Sequence, residues 1–112
     1  MRVLVCGGRD FAEPVKLRAK LDTLHRKGMT VVIQGGAKGA DYVAKMWAED
    51  NGVNSIQVNA EWEKYGKAAG HIRNSIMLKQ GQPDLVLATR GGRGTANMIK
   101  QANNAGVPVI HL

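Results

Sequence analysis

Residues 84–95 read "DLVLATRGGRGT": a wholly apolar run, Leu85–Ala88, breaks almost at once into glycines and a threonine. Four apolar residues without polar alternation describe a strand covered on both faces, as in a parallel sheet flanked by helices. Glycines close behind such a strand give the backbone access to positive φ and keep side chains away from whatever approaches it. The arrangement occurs twice more. "VLVC" at 3–6 leads into "GGRD" at 7–10, and "VVI" at 31–33 leads through Gln34 into "GGAKGAD" at 35–41.

Outward from these stretches, strands alternate with helices. Pro14 suits the first turn of a helix, with Glu13 close to its positive end. Leu17, Leu21 and Leu24 then recur at helical spacing, and Gly28 supplies the stop. Asp41 caps or begins a second helix carrying Val43, Met46 and Trp47, ended near Gly52. Ser55–Val58 is a weaker third strand, followed by a glycine-containing loop from Asn59 to about Gly70 and a helix marked by Ile72, Ile76 and Met77. Thr95 to about Ala105 is predicted helical, closed by Gly106, and Val107–Ile110 is the last strand. No linker, repeat or low-complexity tract interrupts this order, so residues 1–112 are expected to form one domain. Right-handed crossovers then give a Rossmann-like, three-layer α/β sandwich around a five-stranded parallel sheet.

In that fold every loop after a strand emerges on the carboxyl edge, where ligands bind. The glycine loops after strands one, two and four therefore converge, each leading towards a helix whose first N–H groups lack partners and favour anions. One such loop alone is an ordinary tight turn. None has the lysine followed by serine or threonine of a Walker motif, and none gives the dinucleotide fingerprint. Their joint occurrence is what points to a ligand cradle.

Composition narrows the ligand. The formal net charge is +7, which suits a phosphate-bearing partner. Aromatic residues make up only 4% of the chain, too few for a single-strand stacking groove, so a small molecule fits better than nucleic acid. No apolar run reaches membrane-spanning length, and "MRVLVCGGRD" has too short an apolar region for a signal peptide. A lone Cys6 cannot form an internal disulfide. A cytoplasmic setting without membrane association is expected.

Taken together, "GGRDF" at 7–11, "QGGAKGAD" at 34–41, "AEWEKYGKAAGHIRNSIML" at 60–78 and "GGRGTANM" at 91–98 resemble the YspA-type, YpsA-related branch of the SLOG superfamily. That superfamily includes the LOG phosphoribohydrolases and the DNA-processing Smf/DprA proteins, and the resemblance spans nearly the whole chain. It implies a nucleotide-binding domain and a homodimer or larger homo-oligomer. LOG enzymes carry a "PGGxGTxxE" motif and an arginine in an earlier helix, and cut the glycosidic bond of a nucleoside monophosphate. Gly91, Gly92, Gly94 and Thr95 match the glycine core, and Arg73 matches the helix arginine. No proline precedes the glycines, and Met98 stands at the glutamate's position. Methionine can neither orient water nor stabilise a ribosyl cation, so the resemblance carries over phosphate binding without the hydrolytic carboxylate.

The expected ligand-binding residues are Gly7, Gly8, Arg9 and Asp10 in the first loop, and Gly35, Gly36, Lys38, Gly39 and Asp41 in the second. Trp62 lies in the loop after strand three, Arg73 and Asn74 follow in the first turn after Gly70, and Gly91, Gly92, Gly94 and Thr95 complete the set. Plainer roles compete for several of them. Asp41 serves equally as a helix cap, Lys38 and Arg73 as solvated surface cations, and Trp62 as a cover over the core. Cys6 reads as a buried thiol and Trp47 as core. His25, His71 and His111 show no metal-ligand spacing, and no cofactor is implied. Three functions follow: a binder of nucleotides or nucleotide-derived signals, a nucleotide hydrolase using Asp10, Asp41 or Glu61, and a nucleic-acid binder. Met98 weighs against the second and the aromatic content against the third.

Overall fold

The computed structural model describes residues 1–112. Five strands, β1 (Arg2–Cys6), β2 (Val31–Gln34), β3 (Asn54–Gln57), β4 (Leu85–Ala88) and β5 (Val109–His111), form one sheet in the order β3-β2-β1-β4-β5. Every pairing is parallel, with Leu4 opposite Ile33 on one side and Val86 on the other. This is the Rossmann-like sandwich that alternating apolar strands and helices dictate.

The β1 run "RVLVC" serves both faces because successive side chains point to opposite sides. Val3 and Val5 join Val32 and Leu87 beneath α1 (Pro14–Arg26) and α2 (Ala40–Asp50), where Leu17, Leu21, Leu24, Ala44 and Trp47 are buried. Leu4 and Cys6 join Ile33 and Val86 on the other face, beneath α4 (Ala69–Gly81) and α5 (Arg93–Asn104), which contribute Met77, Met98 and Ala102. Trp47 donates its indole N–H to Asp22 at 2.8 Å, which ties α2 to α1. No helix is long and apolar enough to cross a membrane.

Four details differ from the sequence reading. The stretch after β3 is partly ordered as a short helix α3 (Trp62–Tyr65) and a 3₁₀ turn over Gly66–Ala68. Helix α4 starts at Ala69, so Arg73 and Asn74 fall in its second turn. Helix α5 starts at Arg93, two residues before Thr95, with Gly92 at the N-cap position, and Gly94 and Thr95 lie in its first turn. Strand β5 starts only at Val109. Pro108 has no N–H to give to a ladder, although its carbonyl accepts from the Val86 N–H at 2.9 Å.

The order of strands fixes where a ligand belongs. From β1 the chain winds outward through β2 to β3, then returns to place β4 and β5 on the opposite side. The loops after β1 and β4 leave the sheet side by side, with the Gly8 N–H donating to the Arg90 carbonyl at 2.9 Å. The helices they lead to lie on opposite faces, which puts the switch point of the sheet at this carboxyl edge.

Candidate functional site

At that edge lies a cleft of about 960 Å³, in the size range of small-molecule sites. All three glycine loops reach it. Gly7, Gly8, Arg9 and Asp10 line it from the loop after β1, Gly35, Gly36 and Asp41 from the second, and Gly92, Gly94 and Thr95 from the start of α5. Trp62 and Asn59 close the end near β3, and Arg73 and Asn74 reach it from α4.

Three expected residues do not line the cleft. Lys38 is exposed to solvent. Gly39, the N-cap of α2, has φ 78°, and a side chain there would strike the carbonyl of Gly8. Its role is to let two glycine loops touch. Gly91 packs beside Thr95 and the Gly8 N–H and lines a smaller neighbouring cleft with Arg90 and His111. Of the alternative carboxylates, Asp10 and Asp41 line the main cleft and Glu61 does not.

Asp41 does not cap its helix. It occupies the first turn of α2 and turns back, accepting the Ala37 N–H at 3.2 Å. Burial raises its carboxyl pKa, while that N–H and the Arg73 guanidinium act to lower it. It is the buried strut of the second loop.

Arg73 is not a solvated cation. Its Nη1 donates to the Gly35 carbonyl at 2.7 Å and its Nε to Asn74 Oδ1 at 3.0 Å. Burial pulls its pKa below the usual guanidinium value, and Asp41 nearby pulls it back up. Two of its five N–H groups are thus engaged with the protein, and the rest of the fork is open to an anion. Asn74, buried, is a brace. Its Nδ2 donates to Gly94 O and Asn97 Oδ1, both at 3.1 Å, and so fixes α4 against the start of α5.

The first turn of α5 carries no side-chain cap, so its leading N–H groups have no side-chain acceptor, and Gly92, Gly94 and Thr95 of this turn line the cleft. Cys6 lines the floor but is 7% exposed, and burial together with Asp41 pushes its thiol up to about 12. It stays protonated at neutral pH and is no nucleophile there. Met98 is fully buried in the core below α5 and does not border the cleft. No group of three or more His, Cys, Asp or Glu side chains is placed to hold a metal ion.

Asn59, Ala37, Ala60, Gly70 and Met77 also line the cleft and were not read from the sequence as site residues. Asn59 was the most accessible of them, because it lies just beyond β3 and must emerge on the same edge as the glycine loops.

Comparison with known proteins bears on the family and the fold. Residues 1–65 match the family described as YspA, cpYpsA-related SLOG. The "Gene 61 protein" of Mycobacterium phage D29 is 40% identical over an alignment covering 98% of this chain and 94% of that protein. The DNA processing protein A (DprA) of Streptococcus pneumoniae shares the fold with a TM-score of 0.77 at 22% identity. That match covers 98% of this chain and 49% of the DprA chain, so the present chain spans about half its length. The structure of TM1055 is similar with a TM-score of 0.73 at 24% identity, over 96% of this chain and 71% of that one.

Proposed function

The chain belongs to the YspA, cpYpsA-related SLOG family, and on that premise we propose that its cleft binds a nucleotide or nucleotide-derived small molecule, as a sensor or sequestering module. The observation that carries this reading is the convergence of three glycine loops, an uncapped helix start and the Arg73 fork on one cleft. Backbone N–H groups and a helix dipole suit a phosphate, and the arginine fork suits its oxygens. Trp62, 51% exposed at the other end, offers a ring face to a base. The cleft runs from β4 past β1 and β2 to β3, three strand spacings or roughly 14 Å, which gives a phosphate and a base separate ends. Because the position of the hydrolytic glutamate is held by core Met98, the reading is of binding without rapid turnover.

A ligand at about a hundred times its dissociation constant adds roughly 2.7 kcal/mol to folding stability. For a chain of this size the melting temperature then rises on the order of 10 °C. Melting curves with nucleoside monophosphates, cyclic nucleotides and ADP-ribose at millimolar concentration test the proposal. At least one should give such a rise, and no shift from any of them would refute it.

A further inference from the structure

At the β3 end of the cleft three side-chain amides run in a line whose polarity is fixed at its buried end. Gln34, the last residue of β2, is fully buried, and its Oε1 accepts the Gly36 N–H at 2.6 Å. A backbone N–H can only donate, so the oxygen of Gln34 is committed to that bond. Its Nε2 therefore faces Gln57 and donates to Oε1 there at 2.9 Å. Gln57, with its oxygen taken, donates from Nε2 to Asn59 Oδ1 at 2.9 Å. Gly36 has φ 73°, and a side chain there would collide with Asn59 Oδ1, so the glycine keeps the line open. The outcome at the cleft is specific. Asn59 holds its oxygen inward and presents Nδ2, with two N–H donors and no protein acceptor, three residues from Trp62.

We propose that Asn59 selects the heterocycle of the bound nucleotide, favouring a 6-oxopurine over a 6-aminopurine, with Gln34 and Gln57 as positioning residues. This rests on the nucleotide reading above. A 6-oxopurine shows two adjacent acceptors, O6 and N7, whereas a 6-aminopurine sets N–H donors beside N7. Donors facing donors disfavour the second ring. Rotating the Asn59 amide to suit it would break the Gln57 bond, or turn the whole line and leave the Gly36 N–H against an NH₂ group.

Inosine monophosphate and AMP carry the same phosphate, ribose and charge and differ at the ring, so the ratio of their dissociation constants reads the proposal directly. The parent chain should bind inosine monophosphate about five- to tenfold more tightly, the worth of one hydrogen bond. Asn59→Asp keeps the size and the acceptor for Gln57 but presents an acceptor to the cleft. Its charge weakens both nucleotides alike, and the ratio should invert. Gln57→Glu acts from outside the cleft: two acceptor oxygens there turn the Asn59 amide round, and the ratio should invert again. Both positions are exposed, so neither substitution disturbs the core. Equal affinities in the parent, or a ratio unmoved by both substitutions, would overturn this inference and leave nucleotide binding standing. Failure of the parent to bind either nucleotide would overturn this inference, while the wider panel of nucleotides above decides the binding reading separately.

Discussion

Replacing Arg73 with alanine should weaken nucleotide binding by about 1.5–3 kcal/mol, roughly a ten- to 150-fold rise in Kd, the range for hydrogen bonds to a charged group. The side chain is held in place before any ligand arrives, by its bonds to the Gly35 carbonyl and Asn74 Oδ1. It therefore loses little rotamer freedom on binding, and its open N–H groups act at nearly full strength. Arg73→Lys retains the charge without the fork and should recover only part of the loss. The alanine variant should also melt lower without ligand, because Gly35 and Asn74 lose a donor and buried Asp41 loses its nearby cation. Titration calorimetry separates the two effects. Unchanged affinity in Arg73→Ala would remove this residue from the site.

The second large effect concerns folding. Met98→Glu should destabilise the chain by about 4 kcal/mol at pH 7, which is the work of keeping a buried carboxyl protonated well above its free pKa of about 4.3. Met98 is fully buried among Leu4, Cys6, Met77 and Ala102, and none of these offers a partner to a carboxylate. The sign with pH follows. Burial raises the folded pKa above the unfolded value, so the penalty is absent below about pH 4 and grows as pH rises. Denaturant unfolding at pH 5 and pH 8 should show the deficit growing between them. Met98→Leu, close in volume, should cost below about 1.5 kcal/mol at both. A Met98→Glu variant as stable as the parent would mean that position 98 opens towards the ligand.

The same residues show what was legible in the sequence. The strands were, because "VLVC", "VVI" and "LVLA" are apolar at every position and only a sheet covered on both faces accommodates that. Three glycine loops on one edge followed from parallel topology alone. Side-chain direction did not follow. Asp41 stands where a cap is common yet reaches back to Ala37, and Lys38 shares its loop with cleft residues but is exposed and does not line the cleft. Asn74, grouped with the ligand residues, spends both donors on α5. The amide line from Gln34 to Asn59 was hidden for the same reason. Its members come from two strands and a loop, and only the register of Gln34 against Gln57 brings them together. Periodicity reports which face a residue takes and says nothing about partners contributed by a neighbouring strand.

Amide NMR of the ¹⁵N-labelled chain, titrated with a nucleoside monophosphate, tests the central claim most directly because it locates the ligand as well as detecting it. A phosphate at the start of α5 should move the Gly92, Gly94 and Thr95 amides most, the Trp62 indole N–H should shift with the base, and α1, on the far side of the sheet from α4 and α5, should stay still. Saturable shifts confined to α1 and α2, or no shifts at millimolar nucleotide, would contradict a nucleotide site at the carboxyl edge.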